Sequence, residues 1–139
     1  MSVVGFTASA FDFLHAGHIA MLEEAASVCD ILVCGLHTDP SRERGEKSPP
    51  VQPLSERYLQ LSAVKFVGKI VPYETESELL QVISLIGPSV RIVGEEYMDK
   101  DFTGKELCAH LGIRIHYNKR RHNLSSTLQR SRARQVVKT

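Results

Sequence analysis

Between residues 11 and 18 the chain reads Phe-Asp-Phe-Leu-His-Ala-Gly-His, and its chemistry concentrates there. His15 and His18 are three apart, so on the first turn of a helix they share one face. Gly17, between them, has no side chain and lets an anion approach the backbone. A helix start adds unpaired N–H groups and a partial positive charge. Two imidazoles, a glycine and a helix start together predict a polyphosphate site. Two other readings compete: ordinary helix-start residues, or zinc ligands. Zinc finds little support, because no Glu follows His15 to make HExxH and no Cys pair lies nearby to complete a site.

Such a site needs a strand before it and a helix after it, and the flanking residues supply both. Val3 to Thr7 is a short β-branched run that predicts a buried strand. From Ile19 to Val28 apolar residues recur at helical spacing, with Glu23 and Glu24 facing outward. Further strands are expected at Ile31–Leu36, at Lys69–Val71 (stopped by Pro72), at Val90–Val93 and at Ile113–Tyr117. Helices are expected after a cap at Ser55, at Ser77–Ile86 (ended by Gly87-Pro88), at Lys105–Leu111, and from Ser125 onward. Strands alternating with helices predict a parallel sheet covered on both faces. Right-handed crossovers make it an α/β, Rossmann-like three-layer α/β/α sandwich with a five-stranded parallel sheet, in a single domain spanning residues 1–139. Ligands in such sheets bind beyond the carboxyl ends of the strands, at the topological switch point, where His15 and His18 fall. The stretch Thr38 to Pro53 is almost devoid of apolar residues and reads as a long functional loop carrying Lys47.

The balance of the chain excludes several classes. A net charge of +1 demands neither nucleic acid nor a membrane surface. The arginine-rich tail from Lys119 lacks interleaved aromatics, which weakens a nucleic-acid reading. No apolar run approaches the length of a membrane span. An odd cysteine count without CxxC suits a reducing, cytoplasmic setting, and Cys34 within Ile31-Leu-Val-Cys-Gly reads as a small buried hydrophobe. No Walker loop and no GxGxxG is present, so P-loop hydrolysis and dinucleotide redox chemistry lose their usual handles.

The segment from Thr7 to His18 resembles the HxGH signature of the nucleotidyltransferase superfamily, and within it the cytidylyltransferase branch, closest to glycerol-3-phosphate cytidylyltransferases. Further motifs follow in the order of that family: Arg57 in the helix after the long loop, Gly94-Glu-Glu-Tyr97 after the fourth strand, and Arg120 with Leu124-Ser-Ser-Thr127 at the start of the last helix. Ser9-Ala10 stands where the family usually has Gly-Thr, and Gly68 where close relatives often have aspartate.

The resemblance implies in-line transfer of a nucleoside monophosphate from a triphosphate, CTP favoured, to a phosphorylated small alcohol such as glycerol 3-phosphate. Pyrophosphate leaves, and no enzyme nucleophile takes part. His15, His18, Lys47 and Arg120 are its catalytic residues. Nucleotide contacts fall to Thr7, Ser9, Ala10, Phe11 and Gly17, to Gly94 and Glu96, and to Ser125, Ser126 and Thr127. Asp12, Asp39 and Arg57 are assigned to the acceptor. Mg2+ is the implied cofactor, held by phosphates and water rather than by protein ligands, and a homodimer is the implied assembly. Two alternatives stand beside this: an adenylyltransferase using ATP with a phosphorylated sugar or cofactor precursor, and a non-catalytic nucleotide-binding protein.

Overall fold

The structure, a computed structural model, describes residues 2–119. Five strands alternate with four α-helices: β1 (Val4–Ser9), α1 (Ala16–Ser27), β2 (Ile31–His37), α2 (Leu54–Ser62), β3 (Lys69–Tyr73), α3 (Glu76–Ile86), β4 (Val90–Gly94), α4 (Lys105–Leu111) and β5 (Arg114–Asn118). All strand pairings are parallel, in the order β3-β2-β1-β4-β5. The chain leaves β1 in one direction to build β2 and β3, then returns past β1 to build β4 and β5. The switch point therefore lies between β1 and β4, as the Rossmann-like α/β reading requires.

Each face of the sheet buries its own apolar cluster. Leu22 and Ala25 of α1 and Leu61 of α2 pack with Leu32, Cys34 and Ile92 on one face. Leu79 and Ile83 of α3 and Cys108 of α4 pack with Phe6, Val33 and Tyr73 on the other. Alternate residues of β1 and β2 thus serve opposite layers, which is why these strands read as continuous apolar runs. Cys34 is fully buried and burial pushes its thiol up to about 12, so it behaves as a small hydrophobe. Among the described residues, no helix is long and apolar enough to cross a membrane.

Several boundaries differ from the sequence expectation. α1 begins at Ala16, three residues earlier than its apolar periodicity, with His15 as its N-cap. α2 begins at Leu54 behind Pro53, so Ser55 lies inside the first turn rather than capping it. β3 runs through Pro72 to Tyr73; it is an edge strand, where the missing N–H of a proline is tolerated. α3 starts behind Thr75, whose hydroxyl accepts the N–H of Glu78, and ends at Gly87 in the left-handed region (φ 58°). The long loop holds one 3-10 turn at Pro40–Arg42, capped by Asp39. β2 and β5 each extend one residue further than expected, to His37 and Asn118. The expected last helix lies outside the described residues, as do Arg120, Ser125, Ser126 and Thr127.

Candidate active site

The loop from β1 into α1 is shaped by its two histidines. The backbone N–H of Gly17 donates to His15 Nδ1 at 2.9 Å, and the N–H of His15 donates to His18 Nδ1 at 3.2 Å. The pair thus forms a reciprocal cap in which imidazoles do the work usually given to Ser and Glu. Two consequences follow. The Gly17 amide, expected to face an anion, is taken by His15. And because His18 Nδ1 accepts, a neutral His18 carries its proton on Nε2. Burial is the main cause that lowers the His18 pKa to about 4, helped by the neighbouring His15 and opposed by Asp12. At neutral pH His18 is an uncharged hydrogen-bond donor. The two rings lie 4.2 Å apart, centre to centre, and the Phe11 ring lies 6.3 Å from that of His18.

The loop is held in a costly shape. Phe11 and Phe13 both adopt positive φ, at 48° and 55°, where a side chain on Cβ is crowded. Each such residue costs about 1–2 kcal/mol and persists only where its surroundings over-determine it. Phe11 does so by burying its ring completely in the core under α1. Its side chain is therefore a packing element, and any nucleotide contact falls to its backbone. Phe13 is held by its N–H, which donates to Gln52 Oε1 at 2.8 Å.

Gln52 was not singled out by sequence, yet it locks the long loop onto this turn. Its backbone N–H and that of Val51 donate to the two carboxylate oxygens of Asp12, at 3.0 and 2.8 Å. Its carbonyl accepts Nε of Arg57 at 3.0 Å. The same guanidinium donates to the carbonyls of Ala10 (2.9 Å), His37 (2.6 Å) and Thr38 (2.6 Å). Arg57 is 1% exposed. These bonds give Arg57 a different task from the acceptor contact expected of it: it clamps the ends of β1 and β2 and the start of the loop. Asp12 likewise spends its carboxylate on loop amides. Asp39 spends its own on Ser41, bonding that residue's N–H (3.0 Å) and hydroxyl (2.5 Å). Asp39 and Arg57 border a separate recess that also touches Pro49 and Pro50. Position 68 is equally tight: a Cβ there would meet Ile31 and the Leu32 carbonyl at 3.1 Å, so any side chain would be crowded.

A cavity of about 560 Å3 opens at the carboxyl ends of the strands. It brings together Thr7, Ser9, Ala10, Lys47, Gly94 and Glu96, six residues expected at the site from sequence. Its size falls in the usual range for small-molecule sites. A Cβ on Gly94 would collide with the Glu96 carboxylate, which folds back onto it. The cavity also holds residues that sequence reasoning missed: His37, Arg44, Tyr73, Glu76, Arg91 and Asn118. His37 and Asn118 were the residues just past the ends assigned to β2 and β5. Arg91 had a signal, a lone arginine inside the apolar run of β4. It lies between Phe6 and Phe102, 5.6 and 5.5 Å from their rings, and donates to the Thr103 carbonyl at 3.0 Å. Asn118 donates to the Met21 carbonyl at 3.0 Å, and His116 Nε2 meets Glu24 at 2.9 Å; together they pin β5 to α1. Among the described residues, four side chains keep buried polar atoms without a hydrogen-bond partner: both ring nitrogens of His37, Thr38 Oγ1, Arg91 Nε and Asn118 Oδ1. Buried polar atoms are normally satisfied, so such a group beside a cavity can bond a water or another molecule that enters it.

A parallel sheet with a histidine-capped helix after β1 and a polar cavity at its switch point defines a nucleotidyltransferase of the HxGH type. The chain belongs to the cytidylyltransferase-like family, whose model matches residues 6–132. It is 40% identical over 111 residues to the bifunctional protein HldE of Rhodopseudomonas palustris, covering 78% of this chain and 22% of that one. It is 36% identical over 114 residues to HldE of Citrifermentans bemidjiense, covering 81% and 23% respectively. The chain thus spans about a fifth of the length of these relatives. Its fold resembles the lipopolysaccharide core biosynthesis protein of Thermoplasma volcanium, with a TM-score of 0.68 at 22% identity over 87% of this chain and 98% of that one. It also resembles the pantoate-beta-alanine ligase of Francisella tularensis crystallised with βγ-ATP and β-alanine, with a TM-score of 0.61 at 15% identity over 85% and 59%.

Proposed function

We propose that this chain transfers the nucleoside monophosphate of ATP to the phosphate of a phosphorylated sugar and releases pyrophosphate. The observation that carries the reading is the joint placement of Lys47, Ser9 and Gly94 around one cavity at the switch point, at the foot of the loop that delivers His15 and His18. The motif resemblance by itself favours CMP and glycerol 3-phosphate. The fold neighbour named for lipopolysaccharide core biosynthesis supports a sugar acceptor, and the neighbour that binds βγ-ATP supports the adenine nucleotide.

In this reading an oxygen of the acceptor phosphate attacks the α-phosphorus in line, and the bond from that phosphorus to the bridging oxygen breaks. The two electrons of that bond leave with pyrophosphate. The imidazoles of His15 and His18 steady charge on the α-phosphate and the bridging oxygen, and the Lys47 ammonium closes over the phosphates. Arg120 with Ser125, Ser126 and Thr127 is assigned to the β and γ phosphates. Mg2+ fits the donor set: the Glu96 and Asp101 carboxylates border the cavity. That suits an ion which keeps its waters and phosphate ligands, with Glu96 and Asp101 holding its water shell. When bound it neutralises phosphate charge.

The test is pyrophosphate release with Mg2+ from ATP, CTP, UTP and GTP, each with sugar 1-phosphates and with glycerol 3-phosphate, beside a His18→Ala control. Release from ATP with a sugar phosphate, lost in the control, is the expected result. Release only from CTP with glycerol 3-phosphate would overturn both the base and the acceptor.

A further inference from the structure

The cavity is lined by charges of both signs. Lys47 serves phosphates in the proposed reaction, while His15 and His18 lie outside the residues that line the cavity. At the β2–β3 end of the cavity, at the start of α3, stands Glu76, a carboxylate that repels phosphate. Its Oε1 lies 3.7 Å from His37 Nε2 and 3.5 Å from Arg44 Nη2. Arg44 also donates to the Thr103 hydroxyl at 3.4 Å. The His37 imidazole is 4% exposed, borders the cavity, and has no hydrogen-bond partner on either nitrogen. Its ring packs at 4.6 Å, tilted by 50°, against Tyr73, its register neighbour on β3.

We propose that Glu76, His37 and Arg44 form a subsite that reads the hydroxyl groups of the acceptor, while its phosphate points towards Lys47. The inference rests on the acceptor class proposed above and locates its recognition. A hydroxyl both donates and accepts. A neutral imidazole carries one donor and one acceptor, a carboxylate only accepts, and a guanidinium only donates. Adjacent hydroxyls therefore satisfy all three side chains at once, including the nitrogens that His37 leaves unbonded. An apolar acceptor would bury them unpaired, which is costly. Arg91, whose Nε is also unpartnered, extends the polar wall towards β4. The Tyr73 ring backs His37 and gives the sugar body an apolar surface near its polar contacts.

The experiment compares the full chain with Glu76→Gln and with His37→Gln, using ATP and Mg2+ and, as acceptors, glucose 1-phosphate, mannose 1-phosphate, their deoxy analogues and glycerol 3-phosphate. For the best sugar phosphate, each variant is expected to raise the acceptor KM about tenfold or more, and to narrow the preference for that sugar over its deoxy analogue by about as much. The KM for ATP and the thermal midpoint stay close to wild type, which separates lost recognition from lost folding. Sugar transfer with an unchanged acceptor KM in both variants would overturn the subsite alone. An equal rise in the KM for ATP would overturn it too, by showing that these residues serve the nucleotide. Wild-type transfer to glycerol 3-phosphate and to no sugar phosphate would overturn the acceptor reading, and this subsite with it.

Discussion

The backbone N–H of His15 donates to Nδ1 of His18 at 3.2 Å, so the second histidine of the motif fixes the position of the first. The motif is thus a structural unit before it is a chemical one. The bond also dictates which ring nitrogen of a neutral His18 carries the proton.

That arrangement requires a neutral His18. With its folded-state pKa lowered from the ordinary 6.5 to about 4, the unfolded chain takes up the proton first as the solution is acidified. The stability tied to neutral His18 is complete above about pH 6.5 and drains as pH falls from there towards about 4. Thermal midpoints across this window should fall more steeply for wild type than for His18→Gln. Parallel curves would show that His18 titrates normally.

Arg57 donates four hydrogen bonds to backbone carbonyls from a buried position. Arg57→Lys keeps the charge but loses the fork, and should destabilise by about 2–3 kcal/mol because carbonyls of Ala10, His37, Thr38 or Gln52 are left unpaired. Urea denaturation measures it. A variant with native stability and only a raised acceptor KM would return Arg57 to the acceptor-phosphate role.

Asp12→Ala strands the N–H groups of Val51 and Gln52 and releases the long loop from the histidine turn. A loss of about 1–3 kcal/mol is expected. Limited trypsin digestion should then cut sooner at Arg42, Arg44 or Lys47 than in wild type.

Lys47 borders the cavity from the loop and is bound through its backbone, whose N–H donates to the Arg44 carbonyl at 3.0 Å. Lys47→Ala should cut kcat by about 100-fold, the usual scale for one lost charge-stabilising donor. Its urea midpoint should stay within error of wild type, since surface substitutions of this kind change stability by about 0.5 kcal/mol or less. A kcat near wild type would remove Lys47 from catalysis.

Much of this was legible in one dimension. Strand and helix order, the parallel sheet, and the placing of His15 and His18 at the end of β1 follow from periodicity, turn residues and the rule for where such sheets bind ligands. Those signals are local: each needs only residues within a turn or a strand of one another. The motif types likewise carried the family, and the cavity assembles Thr7, Ser9, Ala10, Lys47, Gly94 and Glu96 from segments far apart in the chain.

Only the tertiary structure decided the tasks of the polar residues between those elements. Asp12 and Arg57 carry the right chemistry to hold a substrate, but a carboxylate or guanidinium serves amides and carbonyls equally well. What it meets depends on contacts 39 to 47 residues away, at Val51, Gln52 and Ala10. Gln52 has no local signal at all; its importance comes from three bonds that tie the β1–α1 turn to α2. His37 and Asn118 became visible only when β2 and β5 ran one residue past their apolar stretches, because pairing with a neighbouring strand, not hydrophobicity, sets where a strand ends. The sequence by itself determined a nucleotidyltransferase scaffold and its histidine pair; the packing of loops onto strand ends decided which charges remain for a ligand.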